Sequence, residues 1–255
     1  MRCSVGEISQ VHDWIEWLKS NNSPSWAEWA HENVLNAPIF YIGKFQELPP
    51  PRIEALAMLR PPFPRCVVEY GTIDADPCSR VLLYCEEIKG EEGYLCQPAQ
   101  KMRSGGWVTG HPLLGRRAPD GTIEFQCDLD ASDQGVRALQ AAWFFAAHAF
   151  NVMRCVNVIM VDHPAPEKLN KKRLSVGKQP LLSFKTLHIN VPNRSSDGPP
   201  LGGSHSSPRL HLRRGHIRRL PGQKQVWVQS CVVGSSHGVV VKDYALVSKN
   251  GDHHV

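Results

Sequence analysis

Residues 132–156 read SDQGVRALQAAWFFAAHAFNVMRCV, an Ala-rich, proline-free run whose apolar residues continue nearly all the way round through Ala141 to Ala147. A helix that is apolar on every side must be buried. The spacing therefore predicts a long core helix from Ser132 to about Val156. What it packs against is written just upstream. Arg65–Tyr70, Arg80–Cys85, Gly93–Cys96 and Thr122–Cys127 are short, β-branched or aromatic, and bounded by Gly, Pro and Asp, which marks them as strands of an antiparallel meander. His148, inside the helix, has only Asn151 as a polar neighbour at helical spacing and reads as a satisfied core histidine.

Outward from this core, Val11, Trp14, Ile15 and Leu18 follow i, i+3, i+4, i+7, and Ser23-Pro24 opens a second helix carrying Trp26, Trp29 and Val34. Proline is favoured at the first helical position, so the N-terminus is expected to be a helical hairpin whose tryptophans pack structurally. Pro49 to Pro51 and Pro61 to Pro64 leave room between them for a short helix at Ile53–Arg60. The basic stretch Glu167 to Arg173 reads as a solvated loop. Leu182 to Val191 alternates as a strand, with Leu187, Ile189 and Val191 on one face. The expectation is an α+β protein: a helical N-terminal region (1–60), an α+β core (61–192) with an antiparallel sheet and one long packed helix, a Ser/Gly/Pro-rich linker (193–208), and a basic β-meander (209–255).

Charge is unevenly placed. Residues 161–255 hold 15 Lys and Arg against 5 Asp and Glu, while residues 1–160 hold 14 against 19. Such asymmetry points to an anionic partner for the C-terminal part. No apolar run approaches the ~20 residues that span a bilayer, and the N-terminus lacks the apolar stretch of a signal peptide. A cytoplasmic protein without a membrane partner is expected. Eight cysteines are scattered without a CxxC, so neither a zinc knuckle nor a disulfide framework is signalled.

The densest charge lies in Arg209-Leu210-His211-Leu212-Arg213-Arg214-Gly215-His216-Ile217-Arg218-Arg219, which leads through Pro221-Gly222 into Val226-Trp227-Val228. On a strand, Arg209, His211 and Arg213 share a face, and Gly215 suggests a bulge after which His216 and Arg218 restart the alternation. Five arginines in eleven residues offer rigid guanidinium forks suited to phosphate or carboxylate oxygens. Trp227 could add a stacking surface, so Arg209, His211, Arg213, Arg214, His216, Arg218, Arg219 and Trp227 form the candidate anion or RNA site. His211 and His216 are also the types needed for metal-independent acid/base cleavage of RNA. His205, His211, His216 and His237 lack the carboxylate or cysteine company of a metal site, and no P-loop or GxSxG signature appears. No cofactor is expected, and binding is favoured over catalysis. The partners this composition suits are RNA, a ribosomal component or an acidic host protein.

The run Pro208 to His216, followed by a turn and Val226-Trp227-Val228, resembles the C-terminal segment of a phage protein family that includes the anti-CRISPR inhibitor of type V-A effector production. Leu59-Arg60-Pro61-Pro62-Phe63-Pro64, the long apolar helix, and Gln179 to Leu187 are similar to the same family in the same order, so the resemblance spans roughly residues 55–247. Ile217 stands where the family has Trp. The resemblance implies a non-structural phage protein acting in the bacterial host cell, an anti-defence or host-takeover factor. Its partner would be a nascent peptide, a ribosomal component or RNA, and it would act through mRNA degradation.

If the cysteines serve no framework, all eight titrate as thiols in denaturant without reductant. A stoichiometric disulfide in that assay contradicts the reading.

Overall fold

A computed structural model describes residues 9–21, 24–44, 59–71, 80–102, 104–127, 133–189, 209–213, 215–228, 231–233 and 235–239. The expected helix at 53–60, the linker 193–208 and Arg214 lie wholly or largely outside the described residues. The chain divides into two compact units, Met1–Val191 with Ile217–Trp227, and Pro192–His216 with Val228–Val255.

The first unit is built on one mixed sheet. Its strands are β1 (Ile39–Lys44), β2 (Arg65–Gly71), β3 (Arg80–Glu87), β4 (Gly93–Lys101), β5 (Trp107–Thr109), β6 (Leu113–Arg117), β7 (Ile123–Gln126), β8 (Val158–His163) and β9 (Phe184–Ile189). They lie in the order β7-β6-β4-β3-β2-β1-β9-β8, with β5 also on β4. From β2 to β7 the pairing is antiparallel, as the sequence indicates, but β6, which the sequence did not mark as a strand, stands between β4 and β7. The sheet is mixed because β1 enters parallel to both β2 and β9. A parallel neighbour needs a crossover of a dozen or more residues, and residues 45–64 supply that length between β1 and β2.

Both faces of the sheet are covered. The long helix, α3 (Asp133–Met153), lies on one face and buries Trp143, Phe145, Ala146, Ala149 and Phe150 against Cys66, Val68, Leu83, Cys85, Tyr94 and Leu113. The other face carries the N-terminal hairpin of α1 (Val11–Ser20) and α2 (Pro24–Asn33). Val11, Trp14, Ile15 and Leu18 form its buried stripe with Ala27, Ala30 and Val34, over Val67, Leu82 and Tyr84. Its tryptophans act as structural ties. Trp14 Nε1 donates to Thr109 Oγ1 at 3.0 Å, and Trp29 packs edge-on to Tyr84 at 5.1 Å. Asp13 Oδ2 accepts from Trp107 Nε1 at 2.9 Å and pairs with Lys101 at 2.8 Å. The helical N-terminal region and the α+β core thus belong to one unit.

Three thiols sit side by side across neighbouring strands, Cys66 opposite Cys85 and Cys85 opposite Cys96, all buried and free. Burial, reinforced by hydrogen bonds with Cys66 and Cys96, raises the Cys85 thiol well above its ordinary pKa. Beneath α1, Glu69 is fully buried, accepts from the Gln10 backbone N–H at 3.1 Å, and lies 3.6 Å from the guanidinium of Arg80. That guanidinium also lies over the Tyr41 ring at 4.6 Å. Burial pushes the Glu69 carboxyl up to about 7, against the lowering effects of a Ser9 hydrogen bond and the Arg80 charge.

The register between α3 and the sheet is set by one ring. Trp143 stacks on Tyr94 at 4.5 Å and 8° and donates from Nε1 to the Tyr94 carbonyl at 3.0 Å, while the Tyr94 hydroxyl donates back to the Trp143 carbonyl. The indole can lie this low because its neighbour on β6 is Gly115, paired with Tyr94 in the ladder. A Cβ at Gly115 would come within 2.5 Å of the indole.

Gly115→Ala is therefore expected to destabilise the fold by about 1–3 kcal/mol, the usual cost of overpacking. Denaturant unfolding measures it, and an unchanged midpoint would show that the ring has room to move.

Candidate nucleic-acid interface

The basic C-terminal segment is β-rich in the structure. In the second unit, β10 (Arg209–Arg213) lies between β13 (Cys231–Val233), to which it is antiparallel, and β14 (Ser235–Val239), to which it is parallel. Its backbone register sets His211 opposite Val233 and Arg213 opposite Cys231. After Gly215, β11 (His216–Arg219) pairs with β12 (Gln225–Val228) across the Pro221-Gly222 turn. Gly222 has φ of 74°, a left-handed conformation that glycine adopts without penalty. Leu220 N–H closes the turn on the Lys224 carbonyl at 2.8 Å.

Residues 217–227 are seated on the end of α3. Asn157 clamps β12 with both ends of its amide, accepting from Trp227 N–H and donating to the Trp227 carbonyl, each at 2.8 Å, and Val156 N–H donates to the Gln225 carbonyl at 2.8 Å. Ile217 and Trp227 face the α3 core. This corrects the reading of Trp227 as a stacking surface: at 4% exposure its ring is a core side chain, packed near His148 at 6.3 Å. The physical reason is the alternation of β12, which buries Gln225 and Trp227 together. Arg218 and Arg219 are exposed, His216 is half-buried, and Lys224 is exposed in the turn.

The second basic surface was not expected to be helical. Glu167 to Arg173, read as a loop, belongs to helix α4 (Glu167–Ser175), which has no buried side chain. It therefore lacks the apolar stripe by which sequence reveals a helix. Local effects hold it instead. Glu167 lies in the first turn and Lys172 and Arg173 in the last, each favourable to the helix dipole. Gly177 (φ 71°) ends the helix, with Gly177 N–H bonded to the Leu174 carbonyl at 3.0 Å and Lys178 N–H to the Arg173 carbonyl at 2.8 Å, the pairing of a Schellman motif. Asn170 bonds Leu181 through its Nδ2 at 2.9 Å and its Oδ1 at 2.7 Å, and Gln179 reaches Glu16 of α1 at 3.2 Å.

Counter-charges distinguish these cations from those of the sheet, although Lys89, Arg137 and Arg154 also lack a carboxylate partner among the described residues. Arg60, Arg65, Arg80, Lys101, Arg116, Arg117 and Lys185 all lie in ion pairs with carboxylates. Among the described residues, Lys168, Lys171, Lys172, Arg173, Lys178, Arg218 and Lys224 have no such partner. The two surfaces stand at opposite ends of β8: the hairpin meets residues 156–157, just before Val158, and α4 follows His163. Six residues of strand separate them by roughly 20 Å.

No group of three or more His, Cys, Asp or Glu able to hold a metal occurs among the described residues. None of their helices is long and apolar enough to cross a membrane. Comparison with family models, with curated proteins and with solved structures gives no match.

His148 departs from the satisfied core histidine expected of it. It is buried, its Nε2 has no hydrogen-bond partner, and burial lowers its pKa to about 4. A folded-state pKa below the unfolded value of 6.5 contributes stability that is complete above 6.5 and lost as pH falls through 4. Glu69, raised to about 7, acts in the opposite sense: its contribution is complete below 4.5 and lost as pH rises through 7. His148→Leu is expected to blunt the acid loss, which can reach about 1.4 kcal/mol for each pH unit between 6.5 and 4. Thermal unfolding at pH 7 and 4.5 tests this, and equal acid losses in variant and parent would relocate the sensitivity to other groups.

Proposed function

We propose that this chain is an RNA-binding protein whose contacts are made by uncompensated cations of its C-terminal part. The observation that carries the reading is the contrast in pairing: Arg65, Arg80, Lys101, Arg116, Arg117 and Lys185 of the sheet lie against carboxylates, whereas Lys168, Lys171, Lys172 and Arg173 of α4 and Arg218 and Lys224 of the hairpin do not. Unpaired surface cations gain little for the fold. Set against phosphates, they release condensed counterions and provide sequence-independent affinity. With Trp227 in the core, the hairpin offers charge without a stacking ring, so the proposed surface is a phosphate-binding one. In the setting that the family resemblance implies, the protein would be a phage-encoded anti-defence or host-takeover factor that binds an RNA, a ribosomal component or a nascent peptide in the host cytoplasm and lowers expression of a target.

The test removes charge without touching the core. Lys171→Ala with Lys172→Ala is expected to weaken binding of a labelled single-stranded 20-nucleotide RNA at least tenfold, about 1.4 kcal/mol. Each lost phosphate contact should flatten the slope of log K against log salt by about 0.7. Thermal stability should hold, because α4 buries no side chain. Unchanged affinity and slope in a folded variant would sink the reading. Binding of an acidic protein that RNA cannot displace would turn it toward an acidic host partner.

A further inference from the structure

At the foot of α4, where β1, β8 and β9 come together, the sheet opens into a cavity of about 450 Å³. That volume falls within the range of sites that enclose small ligands. Its walls are apolar on several sides, from Leu35, Pro38, Leu182 and Phe184, while Asn36 and Ser183 bring hydrogen-bonding side chains to it. Asn36 and Ser183 are both exposed, so the polar side of the cavity is open to solvent.

Two features make this a formed site. His163 stacks on Phe184 at 4.7 Å and 11° and is fixed by a 2.9 Å hydrogen bond between Nε2 and Thr186 Oγ1, giving a rigid planar wall. The charged residues of the lining, Asp162 and Lys185, neutralise each other in an ion pair across β8 and β9. The cavity is thus mainly apolar, with a planar ring pair and polar groups in its lining and without net charge. The chain runs from its lining at Pro164 straight into the cationic helix and returns from that helix through Leu181, bonded to Asn170, to Leu182 in the lining.

A neutral pocket joined to uncompensated cations suits a ligand that is itself divided in this way. A nucleic-acid strand is such a ligand: its phosphates carry the charge, and its bases are flat, neutral and edged with donors and acceptors. Single-stranded RNA is read by splaying bases out and stacking them against planar side chains. We propose that the cavity between β1, β8 and β9 receives one unstacked base of a single-stranded RNA whose backbone lies on α4. The proposal rests on the RNA-binding reading and gives it a second, uncharged component.

The experiment compares two probes with the same number of phosphates, a uridine decamer and an abasic ribose-phosphate decamer, by fluorescence anisotropy on the full chain. The parent protein is expected to bind the base-bearing strand about tenfold more tightly. Ser183→Leu, which fills the cavity from an exposed position, should bring the two strands to parity while leaving affinity for the abasic strand unchanged. Lys171→Ala with Lys172→Ala should weaken both strands and preserve their ratio. If Ser183→Leu fails to fold, Asn36→Leu fills the same cavity from the β1 side and carries the same expectation. Equal binding of both probes by the parent overturns the base pocket and leaves the RNA reading standing. A base preference that survives a folded filling variant also overturns it. Failure of both probes to bind defeats the RNA reading first and the pocket with it.

Discussion

The contact on which the rest of the architecture depends is the seating of the Trp143 indole on the Gly115–Tyr94 pair. An indole stacked flat on Tyr94 and bonded to its carbonyl leaves no space for a side chain on the neighbouring strand, and Gly115 supplies none. The contact fixes both the height and the rotation of α3. From those follow the line of Phe145, Ala149 and Phe150 over the sheet and the position of residues 156–157 in the turn after the helix, where the β11–β12 hairpin is clamped. An arginine-bearing surface far along the chain is therefore located by a ring-on-backbone contact in the core.

Two buried ionisable groups bear on stability from opposite directions. His148 rests under Trp227 as a neutral ring, and Glu69 sits beneath α1 against Arg80. Burial of a charge is costly unless it is paired, and removing one partner leaves the other uncompensated. Glu69 and Arg80 are accordingly bound to each other's presence, and the Tyr41 ring shares the guanidinium. Acid charges the histidine and base charges the carboxylate, so the two groups oppose each other's pH dependence.

Charge is partitioned by role. In the first part of the chain Arg65, Arg80, Lys101, Arg116 and Arg117 are spent in cross-strand and inter-element pairs, whereas Lys168, Lys171, Lys172, Lys178, Arg218 and Lys224, after residue 163, are exposed without such pairs. Placement of the neutral cavity beside α4 gives the proposed RNA surface a means of reading a base as well as a backbone. The Asp162–Lys185 pair forms the boundary between the two regimes.

The elements legible in residue order alone are those whose apolar content is either dense or periodic. The all-round apolar run at 133–153, the i, i+3, i+4, i+7 stripe of α1, and the β-branched runs at 65–71 and 80–87 each carry their own burial in their spacing, and so the α+β class was legible. The arginine and lysine excess of the C-terminal part was legible as composition. Tertiary structure alone decided where that charge is displayed. Helix α4 has no apolar face to announce it and is held by caps and by Asn170. Strand β1 is read as central only once β2 and β9 flank it in parallel. Strand β10 takes β13 and β14 as neighbours, while β11 and β12 pair with each other, because strand partners are chosen by register and burial rather than by order. Trp227 alternates toward the core because α3 is there to receive it, and the cavity at β1, β8 and β9 exists only where three segments distant in sequence meet.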